Sequence, residues 1–465
     1  MLVPLCFIGE FFMVKKKKFT LSTTQIVLLS FLVTILLGSL LLSLPISSAS
    51  GEPVPYIDAL FTATTSTCVT GLVTLTTSSA WSTFGQIVIL VLIQIGGLGI
   101  ITIMTGLMML LNRKMGIGDR LLIQDAFNLN TMSGLAKFVR NVLLGTLIVE
   151  GTGALLYMLV FVPEFGARGI WISIFNSVSA FCNAGIDIIA DNSLCNYATN
   201  PLINLVTSGL VILGGLGYIV WWDVLRVIKS RTKKNRKIFR HLTLHSKIAI
   251  TSTIVLIVAG TFLIFVFEYS NPLTVAEMSL LDKLQVSLFQ SVTTRTAGFA
   301  SVPQENLTGA TSVVSLILMM IGGSPVGTAG GMKTVTLTVL FCSALATIKN
   351  KNSATLFGRR LSEDSVKKAV AVAVTFMTIC IASTVLLLAT SNASALDVIY
   401  ETVSATATVG LSRNLTSGLN TFGKIIIIVT MYFGRVGPIS LAVALGSKNV
   451  SQNVISEPTE EISVG

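Results

Sequence analysis

Four short segments carry residue types suited to one chemistry. They read FTATTSTCVTGL from Phe61, FNSVSAFCNAGI from Phe175, LFQSVTTRTAGF from Leu288 and YETVSATATVGL from Tyr400. In each, a bulky residue stands ten positions before a glycine, pairing Phe61 with Gly71, Phe175 with Gly185, Leu288 with Gly298 and Tyr400 with Gly410. A lone glycine more often marks a turn or close helix packing; four in equivalent places reverse that preference. A cation entering a bilayer must exchange its water shell for other oxygens, and rings of backbone carbonyls supply them without burying a countercharge. Glycine adopts most cheaply the dihedrals that aim successive carbonyls at one axis. The candidate filter is therefore Val69, Thr70 and Gly71; Asn183, Ala184 and Gly185; Thr296, Ala297 and Gly298; and Thr408, Val409 and Gly410. No carboxylate sits among them, which favours a carbonyl filter over the acidic ring of less selective cation channels. Short helices before each loop would add the partial negative charge of their C-terminal ends.

A second cluster suits a gate. Ile321 to Lys333 reads IGGSPVGTAGGMK, placing Gly322, Gly323, Gly327, Gly330, Gly331 and Pro325 inside what should be a spanning helix. Proline removes a helical donor and glycine weakens the rest, so this helix must break. A kink or a helix end is the plain alternative; an intramembrane loop below the filter is the sharper reading, because hydrophobic sequence resumes after Lys333. Arg435 lies well inside the last apolar run, roughly 21 Å from Thr421 at helical rise, where a charge must face water, a partner or the interface by snorkelling. In the pore it would oppose cations beneath the filter. Lys333 could swing the same way, although snorkelling is its safer reading. Arg295 is expected to brace its loop through carbonyl or carboxylate contacts. Glu150, near the middle of the third span, is expected to pair within the protein with a partner the sequence does not name.

These residues must be positioned by membrane helices. The chain has 465 residues, of which 52% are hydrophobic and 11% charged, about half the charged share of a soluble domain. Apolar runs recur at Gln25 to Leu44, Phe84 to Leu111, Asn141 to Val162, Leu202 to Val220, Ile248 to Phe267, Ser312 to Ile321, Ala369 to Leu388 and Thr421 to Leu445. Most reach the roughly 20 residues that cross a bilayer. After each glycine loop the next helix carries a glycine motif: IGGLG from Ile95, LGGLG from Leu213, the IGGSPVGTAGG segment, and FGRVG from Phe433. The expected fold is an all-α integral membrane protein of eight transmembrane helices and four re-entrant pore loops. Its four helix, pore loop, helix repeats share one orientation and surround a pseudo-four-fold axis along the membrane normal. The expected divisions are an N-terminus 1–19, repeat 1 at 20–112, a loop 113–136, repeat 2 at 137–230, a basic loop 231–245, repeat 3 with a broken second helix at 246–348, a loop 349–366, repeat 4 at 367–447 and a tail 448–465.

Charge supports this topology. The net charge is +11 and the sequence pI about 9.4, yet most basic residues fall in alternate connections: Lys15 to Lys18, Arg113 to Arg140, Arg226 to Lys247, Lys349 to Lys368 and Lys448. Such asymmetry places these segments and both termini in the cytoplasm, so no nucleic-acid partner is expected. The basic loops can dock a soluble regulator or the anionic headgroups of the lipid bilayer. Acidic residues are expected outside, at Glu52, Asp58, Glu164, Asp187, Asp191, Glu268, Glu277, Asp282, Glu305, Asp397 and Glu401, where they would concentrate cations at a pore mouth. For any single one, a solvated loop is the plainer reading. Six scattered cysteines support neither a disulfide framework nor a zinc site. His241 and His245 sit in a basic loop, neither HExxH nor GxSxG occurs, and no enzyme or cofactor is expected. Met1 to Met13 precede the lysines, the reverse of a secretory signal, and Met13 is a candidate start. The stretch Glu457 to Glu461 is expected to be a short polar tail.

The four loops with one filter glycine each, the broken third-unit helix and Arg435 make the chain resemble the Trk, Ktr and HKT superfamily of potassium transporters over about Thr20 to Gly446. Eight spans without two extra N-terminal helices are similar to the membrane subunits of its Ktr branch, of KtrB type. The resemblance implies potassium uptake across the cytoplasmic membrane of a bacterium, with potassium the only metal ion, held at the filter. It implies that Gly322, Gly323, Gly327, Gly330, Gly331, Lys333 and Arg435 form the gate. It further implies a homodimer with one pore per subunit and a cytosolic nucleotide-binding regulatory subunit of KtrA type. Ktr systems are often sodium-dependent, which the residues themselves do not show. A sodium-selective or non-selective monovalent cation pathway is the alternative, because carbonyl field strength is not legible from residue names.

Overall fold

The protein's computed structural model describes residues 23–111, 116, 134–229, 238–351 and 353–437. The Lys15 to Lys18 run, Met13, Arg113, Lys114, Arg120, Lys233 to Lys237, Lys448 and the Glu457 to Glu461 stretch lie outside the described residues.

Four helices among the described residues are long and apolar enough to cross a membrane. They are α1 (Thr23–Leu42), α5 (Leu135–Phe165), α9 (Leu244–Glu268) and α13 (Glu363–Thr390). Each is followed by a short helix that packs against it: α2 (Tyr56–Thr67), α6 (Ala167–Cys182), α10 (Leu280–Thr293) and α14 (Ala395–Ala407). Ser279 and Ser394 cap the last two by accepting from the Asp282 and Asp397 amides three residues on, so the S-x-x-D pattern fixes where each short helix starts. The burial pattern of α5 is inverted relative to a soluble helix. It exposes Leu147, Ile148, Leu155 and Leu159 and buries Glu150, Gly153 and Thr146, as expected where the solvent is hydrocarbon.

The helix that follows the loop in each unit departs from a simple span. The first is bent by 97° between α3 (Thr83–Leu98) and α4 (Ile100–Leu110), and the second by 93° between α7 (Pro201–Leu216) and α8 (Tyr218–Lys229). Only the third was expected to break. The hinges are Gly99 and Gly217, both at φ 84, the final glycines of IGGLG and LGGLG; a left-handed residue ends the helical ladder there. In the third unit α11 (Gly309–Met320) stops and α12 (Thr334–Ile348) resumes after the glycine-rich segment. In the fourth, α15 (Thr421–Val436) ends at Gly437, φ 95. Counting each bent pair as one span gives six candidate crossings, with α11 and α12 as shorter apolar helices.

Neighbouring units are locked by different polar contacts. The Trp171 indole donates to Gln86 Oε1 at 2.8 Å, the Leu194 amide to the Ala300 carbonyl at 3.0 Å, and Lys424 pairs with Asp58 at 2.6 Å. Among the described residues a short hairpin lies outside an all-helical reading. Thr355–Leu356 and Arg359–Arg360 form a two-stranded antiparallel hairpin in the loop 349–366, turning through Phe357 and Gly358.

Candidate functional site

Each short helix delivers its loop through the same backbone sequence. Two residues before the glycine the chain is left-handed, at Val69 (φ 55), Asn183 (φ 59), Thr296 (φ 68) and Thr408 (φ 50), and it is left-handed again at Gly71, Gly185, Gly298 and Gly410. Alternating handedness turns consecutive carbonyls the same way, which an extended strand does not do. Three of the four left-handed residues other than glycine are valine or threonine, for which this conformation is strained. The strain is held by buried hydroxyls that the sequence reading overlooked. Thr65 Oγ1 accepts from the Gly71 amide and Ser404 Oγ from the Gly410 amide, each at 3.0 Å. Ser179 Oγ accepts from the Ile186 amide and donates to its carbonyl, while Thr293 Oγ1 donates to the Phe299 carbonyl at 2.6 Å. In loops one, two and four the clamp stands four residues after the bulky residue, a spacing visible in the sequence as Thr65, Ser179 and Ser404.

The four glycines meet. A Cβ on Gly71 would come within 2.5 Å of the Ala184 carbonyl oxygen, one on Gly185 within 2.7 Å of the Ala297 oxygen and one on Gly298 within 2.6 Å of the Val409 oxygen; one on Gly410 would collide with the Thr70 oxygen. Each loop thus abuts the next, and the last abuts the first. The carbonyls of Thr70, Ala184, Ala297 and Val409 border a closed ring at the glycines, all twelve filter candidates being buried. The donors this ring offers a cation are backbone oxygens.

A cavity of about 380 Å³ opens on the ring, lined by all four glycines and by the carboxylates Asp187, Asp191 and Glu305, with no basic side chain among the described residues. The broader acidic face expected outside is mostly structural. Asp58 is paired with Lys424 and Asp397 with Arg413. Glu268 accepts from Asn271, Thr274 and Thr308, and Glu401 from Ser412 and Thr416. Burial, opposed by the Ile189 amide and Ser193, pushes the Asp187 carboxyl up to about 6. A raised carboxyl is charged above that pH and neutral below it, so the mouth loses negative charge as external pH falls from 7.5 to 5. One unit charge near a cation in water-like dielectric contributes about 0.5–1 kcal/mol, so the KM for cation uptake should rise about threefold over that interval. Asp187→Asn should have the higher KM already at pH 7.5, with a flatter pH profile in tracer uptake assays; an unchanged profile removes Asp187 from the mouth's electrostatics.

Beyond the ends of the short helices lies a second cavity of about 340 Å³, lined by the Gly96 to Gly99 bend, by Gly327, Gly330 and Gly331, and by Lys333 and Arg435. The segment between α11 and α12 fills the space beside it. Its Ser324 and Thr328 amides donate to the carbonyls of Gly215 and Gly214 at 2.8 and 3.2 Å, and its Val326 carbonyl accepts from the Tyr218 amide at 3.1 Å. It is therefore seated in the second unit's bend. Gly322 and Gly323 lie at its base, where the Gly322 amide donates to the Met332 carbonyl and the Thr334 amide to that of Gly323. Gly330 lies against Thr408 and the Ala407 carbonyl with no room for a Cβ. Arg435 ties the segment down, with Nη1 donating to the Thr328 carbonyl and Nη2 to the Gly96 carbonyl, both at 2.6 Å. Lys333 Nζ donates to the Ala329 carbonyl, so it folds back on the loop instead of snorkelling. Arg295 donates to the Gly322 carbonyl and Thr253 hydroxyl, the bracing expected of it. Glu150 finds its partners in Gln94 Nε2 at 3.2 Å and the Cys182 thiol.

Lipid-facing helices around a ring of backbone oxygens, entered from an acidic cavity, define a membrane protein that handles cations. The chain belongs to the TrkH family of cation transport proteins, which matches residues 12–455. It is 39% identical over 459 residues to the potassium/sodium uptake protein NtpJ of Enterococcus hirae, covering 97% of this chain and 99% of that protein. It is 39% identical over 442 residues to the Ktr system potassium uptake protein B of Bacillus subtilis, covering 95% and 96% respectively. The crystal structure of the potassium transporter TrkH from Vibrio parahaemolyticus superposes with a TM-score of 0.76 at 18% identity, covering 95% of this chain and 90% of that one, a likeness of fold.

Proposed function

We propose that the chain takes up potassium across the cytoplasmic membrane of a bacterium. Its ion path runs through the ring formed by Gly71, Gly185, Gly298 and Gly410, with Val69, Thr70, Asn183, Ala184, Thr296, Ala297, Thr408 and Val409 completing the filter. The observation that carries this reading is the closed ring itself, in which each glycine abuts the carbonyl that precedes the next. The names of the Enterococcus and Bacillus relatives support potassium as the ion. Eight crossings follow if α3 with α4, α7 with α8, and α11 with α12 each count as one, leaving α2, α6, α10 and α14 as re-entrant helices and both termini inside.

In this reading the outer carboxylates raise the local cation concentration, and the ring replaces the hydration shell. The segment from Gly322 to Lys333, pinned by Arg435, is the gate, and the described arrangement is its closed form. As in the naming of the Bacillus system, the chain is one component of several; we assign it a homodimer and a nucleotide-binding regulatory subunit of KtrA type docked on the basic loops. The Enterococcus relative's name pairs potassium with sodium, which favours sodium as a coupling ion or second substrate. Complementation of a potassium-uptake-deficient bacterium at limiting potassium, with and without sodium, tests the whole. Growth restored by the intact chain supports it, and no growth under either condition overturns it.

A further inference from the structure

The junction between loops three and four is held by a network of buried side chains. Gln304, directly after loop three, is 2% exposed, and both polar atoms of its side chain and its carbonyl are engaged. Its amide forms a reciprocal pair with Gln290 of α10, Nε2 of Gln290 donating to Oε1 of Gln304 at 2.6 Å and Nε2 of Gln304 to Oε1 of Gln290 at 3.2 Å. The same Oε1 accepts from the Tyr400 hydroxyl of α14 at 3.0 Å. The Gln304 carbonyl accepts from Arg413 Nη1 at 2.8 Å, and Arg413 reaches the Glu305 carbonyl, Ser312 and Asp397 with its remaining donors. Tyr400 stands ten residues before Gly410 and Arg413 three after it, so the two flank loop four on both sides and tie it to the segment leaving loop three.

These two loops are adjacent in the ring, since the Gly298 position abuts the Val409 oxygen. We propose that Tyr400, Gln304 and Arg413 form a rigid brace that sets the distance between the Ala297 and Val409 carbonyls, and that they are positioning residues for discrimination between potassium and the smaller sodium ion. The inference rests on the ring being the ion path. Buried polar networks with every member satisfied hold geometry more tightly than apolar packing. A cage of carbonyls discriminates by size or field only as far as its dimensions are held. At two of the other junctions the contacts, between Trp171 and Gln86 and between Lys424 and Asp58, join helices; between loops two and three the segments past the glycines meet through the Ala300 backbone, its carbonyl accepting from the Leu194 amide and its amide donating to Ser193 Oγ, without a network of buried side chains.

Tyr400→Phe is the discriminating variant, because Gln304 Oε1 keeps its bond from Gln290 and no buried acceptor is orphaned. Arg413→Lys keeps a charge for Asp397 but lacks the planar fork that reaches two carbonyls and a hydroxyl together. In vesicles reconstituted with the full chain, the ratio of potassium to sodium uptake should fall about threefold for Tyr400→Phe and about tenfold for Arg413→Lys, with the melting temperature of Tyr400→Phe close to wild type. Variants that lose uptake of both ions equally, or keep the wild-type ratio, overturn the brace while wild-type vesicles still select potassium. Wild-type vesicles that move no potassium overturn the reading beneath it as well.

Discussion

Replacing Arg435 with alanine should raise potassium flux through the reconstituted protein by roughly ten- to a hundredfold. The guanidinium joins the Thr328 carbonyl of the glycine-rich segment to the Gly96 carbonyl of α3. A hydrogen bond from a charged donor contributes about 1.5–3 kcal/mol, and each 1.4 kcal/mol taken from the closed form alone changes its population about tenfold. The segment keeps its bonds to Gly214, Gly215 and Phe181, so the closed form weakens without vanishing. Arg435→Lys separates pinning from charge. A lysine restores the positive charge but cannot bridge two carbonyls, so flux close to that of the alanine variant assigns the effect to the bridge, and flux close to wild type assigns it to electrostatic repulsion. Unchanged tracer uptake in both variants would falsify a gating role for Arg435.

The bridge was half legible in the sequence. A charge deep in an apolar run had to be placed, and Arg435 therefore stood out; that its partners are two backbone carbonyls could not be read, because carbonyls carry no residue identity. The same limit governed the filter. Ten-residue spacing located all four glycines, but left-handed Val69, Thr296 and Thr408 run against the preference of β-branched residues, and only tertiary contacts such as the Thr65 and Ser404 clamps hold them so. The bends at Gly99 and Gly217 were missed for a related reason. IGGLG and LGGLG lie in unbroken apolar sequence, and hydropathy is blind to the single φ that divides each helix. Charge was legible in sign but not in use. Lys424, Thr308 and Arg413 consume Asp58, Glu268 and Asp397, leaving Asp187, Asp191 and Glu305 on the cavity that opens on the ring.

Gly185→Ala should lower potassium uptake by at least about a hundredfold, and the reason is steric before it is conformational. A β-carbon there would stand 2.6 Å from Gly298 Cα, 2.7 Å from the Ala297 oxygen and 2.9 Å from the Gly298 carbonyl carbon. All three are backbone atoms, so no side-chain rotation relieves the contact and loops two and three must separate. At φ 64 the alanine adds a left-handed penalty of about 1–2 kcal/mol. Gly51→Ala isolates that second contribution, because Gly51 is also left-handed at φ 75 but has nothing within 4 Å of its Cβ position. It should lose about 1–2 kcal/mol of stability and transport potassium normally. Uptake by Gly185→Ala at the Gly51→Ala level would mean that ions do not pass between loops two and three. Loss confined to Gly185→Ala places the path where the glycines meet, since the two substitutions share the backbone strain and differ only in what the methyl group strikes.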